Sequence, residues 1–109
     1  MITPTSSFKD NLQLLPSIED VAHINIIDQA GKAVDRIENQ PGKQGSLIVY
    51  QYLERSFGTL NAQAALHGVE VFAEHTEDAN NRPGAHPNID RLLEILGSGT
   101  ALNIQVVKS

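Results

Sequence analysis

The side chains best able to move protons or grip charge are crowded into one stretch, Glu74 to Arg91. It contains Glu74, His75, Glu77, Asp78, Arg82, His86, Asp90 and Arg91. Carboxylates beside imidazoles are the raw material of general acid–base catalysis, so Glu74, His75, Asp78 and His86 are the candidate catalytic residues. With Asp90, the same groups are acceptable nitrogen and oxygen metal ligands. Their spacing, however, describes no known ligand set. HExxH is absent, and Pro83 and Gly84 separate His75 from His86. The expectation is therefore no metal and no cofactor.

A second pattern lies partly inside this stretch. Pro41-Gly42-Lys43-Gln44-Gly45-Ser46 and Pro83-Gly84-Ala85-His86-Pro87-Asn88 share a layout. Each runs Pro-Gly, then a cationic or protonatable residue, then a residue suited to cap a helix. The first amides of a helix lack intrahelical acceptors, and such starts receive phosphates and carboxylates readily. Gly42, Lys43, Gly45, Ser46, Arg82, Gly84, His86 and Asn88 are accordingly the candidate ligand-binding residues. Arg82 would offer a planar fork to an oxyanion, and His86 a charge that depends on pH. If the loops meet at one end of the domain, phosphate or sulfate should bind more tightly below about pH 6.5, the ordinary histidine value. Neither a Walker loop nor GxGxxG is present, and Pro-Gly before a cap is also ordinary turn chemistry.

These residues need a scaffold. Ser6 or Ser7 can cap a short helix carrying Phe8, Leu12 and Leu15, ended by Pro16. Val21–Asp28 alternates, with Ala22, Ile24 and Ile26 on one face and His23 and Asn25 on the other, which predicts a strand. Gln29-Ala30-Gly31 turns the chain into a returning edge strand over Lys32–Glu38. Ala33, Asp35 and Ile37 share one of its faces. Ser46 opens a helix to Phe57 whose apolar residues cover most of its circumference, leaving Gln51, Glu54 and Arg55 as a polar stripe. It should be the central helix, stopped by Gly58. Thr59 caps a short helix to His67, stopped by Gly68. Val69–Glu74 reads as a third strand, and His75–Pro87 as a loop. Asn88 caps a helix with Ile89, Leu92, Leu93 and Leu96, closed by Gly97. Ala101–Val107 is the last strand, with Leu102, Ile104 and Val106 inward. The order α-β-β-α-α-β-α-β predicts an α+β domain, a mixed four-stranded sheet with helices mainly on one face. The other face would carry His23, Asn25, Asn103 and Gln105.

Composition removes several classes of function. The 109 residues suit a single domain spanning 1–109, 40% hydrophobic and without cysteine, so thiolate sites and disulfides are excluded. Net charge is −5, and the eight basic residues never form a run, which argues against nucleic acid. No stretch is long or apolar enough to span a membrane or serve as a leader, and a cytoplasmic location is expected.

The strings RIENQPGKQGSLIVYQYL (Arg36–Leu53) and FAEHTEDANNRPGAHPNIDRLLEI (Phe72–Ile95), with FKDNLQLLPSI near the start, resemble a family of short bacterial proteins catalogued as a domain of unknown function. The resemblance implies a bacterial origin and a stand-alone domain, and it carries over no catalytic residue. Three readings stay open. The first is a small binding or regulatory domain that recognises an anionic small molecule or partner group at the two Pro-Gly loops. The second is a small acid–base or metal-assisted hydrolytic enzyme using residues 74–90. The third is an interaction module that pairs with a protein partner or forms a homodimer through its sheet.

Overall fold

A computed structural model describes residues 1–109. Three strands form one antiparallel sheet, with β1 (Val21–Ile27) between β2 (Ala33–Glu38) and β3 (Asn103–Lys108). Ile24 and Ile26 of β1 lie opposite Ile37 and Asp35 on β2 and opposite Val106 and Ile104 on β3. Ile24, Ile26, Ile37 and Ile104 are buried and face the helices. The opposite face is polar as expected. Asn25 donates to Gln105 (3.0 Å), and Arg36 bonds Asn25, Glu38 and His23.

The fourth strand and the mixed sheet are corrected. Val69–Glu74 is helical: α3 runs Ala62–Phe72 and α4 runs Glu74–Asn81. Buried Ala64, Ala65, Gly68, Val71 and Phe72 recur at helical spacing, and that longer period overrides the alternation of VEVFAE. Gly68 does not stop the helix. A β-carbon there would stand 2.8 Å from a Leu92 methyl and 2.9 Å from one of Leu53, so the glycine lets α3 seat against both leucines. Asn61, not Thr59, caps α3, accepting the Ala64 amide at 2.9 Å. Thr59 instead donates to the Leu102 carbonyl at 3.0 Å, beside a backbone bridge between Leu60 and Leu102.

The predicted loop is also corrected, because residues 75–81 belong to α4. Only Ala79 of α4 is buried, so the helix has almost no apolar stripe to read. The break before it falls at Ala73, the one non-glycine residue with positive φ (52°). Such a conformation costs about 1–3 kcal/mol and persists where its surroundings fix it. Here Thr76 hydroxyl donates to the Val69 carbonyl (2.6 Å), and the Glu74 carboxylate accepts the Phe8 amide (2.7 Å). The latter bond starts α1 (Phe8–Leu12), which Ser7 caps.

The central helix α2 (Gln44–Phe57) begins two residues before the expected cap, with Lys43 in the cap position and Ser46 inside the first turn. Gln51 belongs to its buried side rather than its polar stripe and donates to the Ser17 carbonyl at 3.0 Å. Leu53 and Leu92 are fully buried. Helix α5 (Pro87–Ser98) has His86 in the cap position, Asn88 inside the helix, and Gly99 rather than Gly97 at its end. Helix α5 therefore follows a helix, not a strand.

Asp35 explains a charged residue on the inner face of β2: it pairs with Arg91 of α5. Arg91 also donates to the Tyr50 hydroxyl (3.1 Å) and the Asn88 side chain (2.9 Å), while Tyr50 donates to the Asn88 carbonyl (2.5 Å). Burial pushes the Tyr50 phenol up to about 12, the adjacent Arg91 charge only partly opposing it. Tyr50 is thus a neutral donor that fastens α5 to the middle of α2.

Candidate functional site

The two Pro-Gly segments border one cavity of about 630 Å³. Gly42, Lys43, Gln44, Gly45 and Ser46 form one wall, and Ala85, His86, Pro87, Asn88 and Ile89 another. Phe8, Leu12, Phe72 and His75 complete it. Six of the sequence-predicted ligand residues therefore line it: Gly42, Lys43, Gly45, Ser46, His86 and Asn88. Arg82 and Gly84 do not. The Arg82 guanidinium grips Asp78 through Nε (2.9 Å) and a terminal nitrogen (2.5 Å), and the Gly84 amide donates to Asp90 (2.9 Å). Both groups already have partners.

The two helix starts differ in what they leave free. In α2 the amides of Gln44, Gly45 and Ser46 donate to no group of the chain, and the first closed bond is Leu47 to the Lys43 carbonyl at 3.1 Å. In α5 Pro87 has no amide hydrogen, and Ile89 and Asp90 both donate to the His86 carbonyl (3.0 and 2.9 Å), leaving only Asn88. Three of the four free amides therefore belong to α2 and one to α5.

The candidate acid–base set divides as well. Glu74 is outside the cavity, its carboxylate held below the ordinary range by the Phe8 amide. Asp78 stands behind the wall and accepts from His86 Nε2 at 2.6 Å. Arg82 first, then His86, hold its carboxyl well below the usual carboxylate range. An anionic Asp78 accepts from Nε2, so His86 carries a proton on that nitrogen and Nδ1 is left outside the bond. His75 and His86 both line the cavity, with ring centroids 5.6 Å apart. No three histidine or carboxylate groups converge as a metal ligand set.

Phe8, Leu12, Gln44, Phe72, Ala85, Pro87 and Ile89 are the cavity residues that the sequence reading did not mark as functional. Gly45 explains how Phe8 comes to the α2 start, since a β-carbon there would stand 3.1 Å from the phenyl ring. No local pattern announces this meeting of residues 8, 45, 72, 75 and 86.

A family model described as an uncharacterized protein conserved in bacteria, DUF2322, matches residues 8–106. The chain belongs to that family. No curated protein and no solved structure matches it. No helix is long and apolar enough to cross a membrane.

Proposed function

We propose that this DUF2322 protein is a small binding domain for an anionic small molecule, received at the start of α2. One observation carries the reading: a chain with thirteen acidic residues and net charge −5 places no Asp or Glu on the walls of this cavity. The groups present there are Lys43, two histidines and four amides without partners, three of them at the start of α2. A helix start of this kind favours negative charge, and Lys43 makes no ion pair that would compete. The apolar remainder, Phe8, Leu12, Phe72 and Ile89, gives the mixed lining usual for a small-molecule site.

The test is a phosphate titration followed by amide chemical shifts. Shifts should centre on Gln44–Ser46 and Asn88, and Lys43→Ala should abolish them while Lys32→Ala does not. Lys32 sits at the exposed β1–β2 turn and serves as the charge-matched control. Equal loss in both variants would reduce the effect to net charge.

The Asp78–His86 bond supports a second reading, hydrolysis of a bound phosphoester. On it, a water oxygen adds to phosphorus while His86 Nδ1 takes one of its protons, and the bond to the leaving oxygen breaks with its electron pair, releasing a phenolate that needs no proton. Hydrolysis of 4-nitrophenyl phosphate would then be lost in His86→Gln and kept in His67→Gln. A wild-type rate equal to buffer would leave binding as the activity.

A further inference from the structure

The cavity has a second wall whose chemistry is more specific than its charge. Two of the three phenylalanines and two of the four histidines of the chain meet there. Phe72 stacks on Phe8 with centroids 5.3 Å apart, Phe8 meets His75 edge to face at 5.0 Å, and His75 lies 5.6 Å from His86. Phe72 is buried behind, whereas Phe8, His75 and His86 are only partly covered. This run of rings begins beside the free amides, because Gly45 lies against the edge of Phe8. Aromatic faces and edges attract a further ring beyond the area it buries.

We propose that the ligand is an aryl anion: a planar aromatic ring joined within one or two bonds to a phosphate or carboxylate. The anionic group would sit at Gln44–Ser46 and Lys43, and the ring against Phe8 and His75. The short link follows from the closeness of the two halves of the site, since the Phe8 ring edge stands 3.1 Å from where a β-carbon of Gly45 would lie. This inference rests on the anion-binding reading and narrows it.

Phenyl phosphate and benzoate, each set against its saturated counterpart, cyclohexyl phosphate or cyclohexanecarboxylate, test the idea by calorimetry on the full chain. Inorganic phosphate serves as the bare anion. The better aryl probe should bind about tenfold tighter than inorganic phosphate and several-fold tighter than its saturated partner. Its ring protons should show nuclear Overhauser contacts to Phe8 and His75 in wild type. Phe8→Leu should erase the aryl preference and leave inorganic phosphate within about twofold. The contacts in wild type decide the matter even if that variant folds poorly. Saturated probes binding as tightly as aryl ones in both series would overturn the inference and leave the anion site standing. Failure of every probe, inorganic phosphate included, would overturn the anion reading itself.

Discussion

Pro41–Ser46 and Pro83–Asn88 share a layout in sequence, and the fold leaves the first open and closes the second. The second is closed upon itself: Asp90 takes the Gly84 amide, Asp78 takes Arg82 and His86, and Tyr50 and Arg91 hold Asn88. The first has a backbone turn bond from the Lys43 amide to Gln40 (2.9 Å) and an exposed lysine, and its next three amides are unclaimed. A Pro-Gly helix start is therefore a capacity rather than a site. What decides its use is whether carboxylates from elsewhere reach it first. Around α5 they do, and around α2 none does.

The contrast breaks most visibly at the seat of α5. Leu92 is fully buried and touches the space that Gly68 leaves open. Leu92→Ala should cost about 2–5 kcal/mol, read from urea midpoints at unchanged slope. Removing the closed polar set comes next. Arg91→Ala deletes its bonds to Asp35, Tyr50 and Asn88, and losing hydrogen bonds to a charged, largely buried group should cost about 1.5–3 kcal/mol. Lys43→Ala is the counterpart at the open start and should leave stability within about 0.5 kcal/mol. Its phosphate response should nevertheless disappear. A Lys43 variant as unstable as the Arg91 variant would show that the α2 start is a structural joint too.

Acid should dissolve one start before the other. Asp78 titrates well below its ordinary 3.8 because Arg82 and His86 favour the anion. A carboxylate depressed in the fold contributes stability that is complete above its unfolded value and lost as pH falls through the folded one. That loss should appear only below about pH 3.8, and be absent in Asp78→Asn. His67 adds a second window. Burial lowers its value from 6.5, so the fold favours the neutral ring, which shares a 2.6 Å hydrogen bond with the Tyr52 hydroxyl. The unfolded chain binds the extra proton, and stability falls as pH drops below about 6.5. His67→Gln should remove that first slope. Well below pH 3.8, where the folded Asp78 takes its proton, the His86 amide shift should move while those of Gly42–Gln44 stay.

The sequence made some of this legible and hid the rest for identifiable reasons. Strands β1 and β3 alternate strongly, and Ile24, Ile26 and Ile104 face inward as the alternation puts them, with Asn25 and Gln105 on the open face. A register shift at the start of β1 buries Val21 in place of Ala22, and β3 begins at Asn103 rather than Ala101. Helix α2 is apolar nearly all round and is central. Gly68 misled because a glycine that ends a helix and one that admits two leucines look alike in a single chain. Helix α4 was invisible because Ala79 alone is buried. The sequence offered the meeting of Lys43 and His86 only as a condition, because two similar loops need not be neighbours, and the engagement of Arg82 and Gly84 depends on Asp78 and Asp90, whose reach no spacing specifies. Phe8 arrives across the fold through Gly45, so its place beside the α2 start could not be read locally.

The smallest effect is also the most direct comparison of the two starts. Backbone amides without acceptors exchange with solvent far faster than those held in closed bonds. Gln44, Gly45 and Ser46 should therefore exchange at least about tenfold faster than Ile89 and Asp90, which donate to the His86 carbonyl. Asn88 is the internal control, the one free amide of the α5 start. Saturating inorganic phosphate should slow Gln44–Ser46 and leave Ile89 and Asp90 unchanged, since those bonds are already made. Slowing of Asn88 in the same titration would place the anion between the two starts, whereas its indifference would confine the anion to α2. If Gln44–Ser46 exchange slowly before any anion is added, those amides have partners already, and the distinction between an open and a closed start fails.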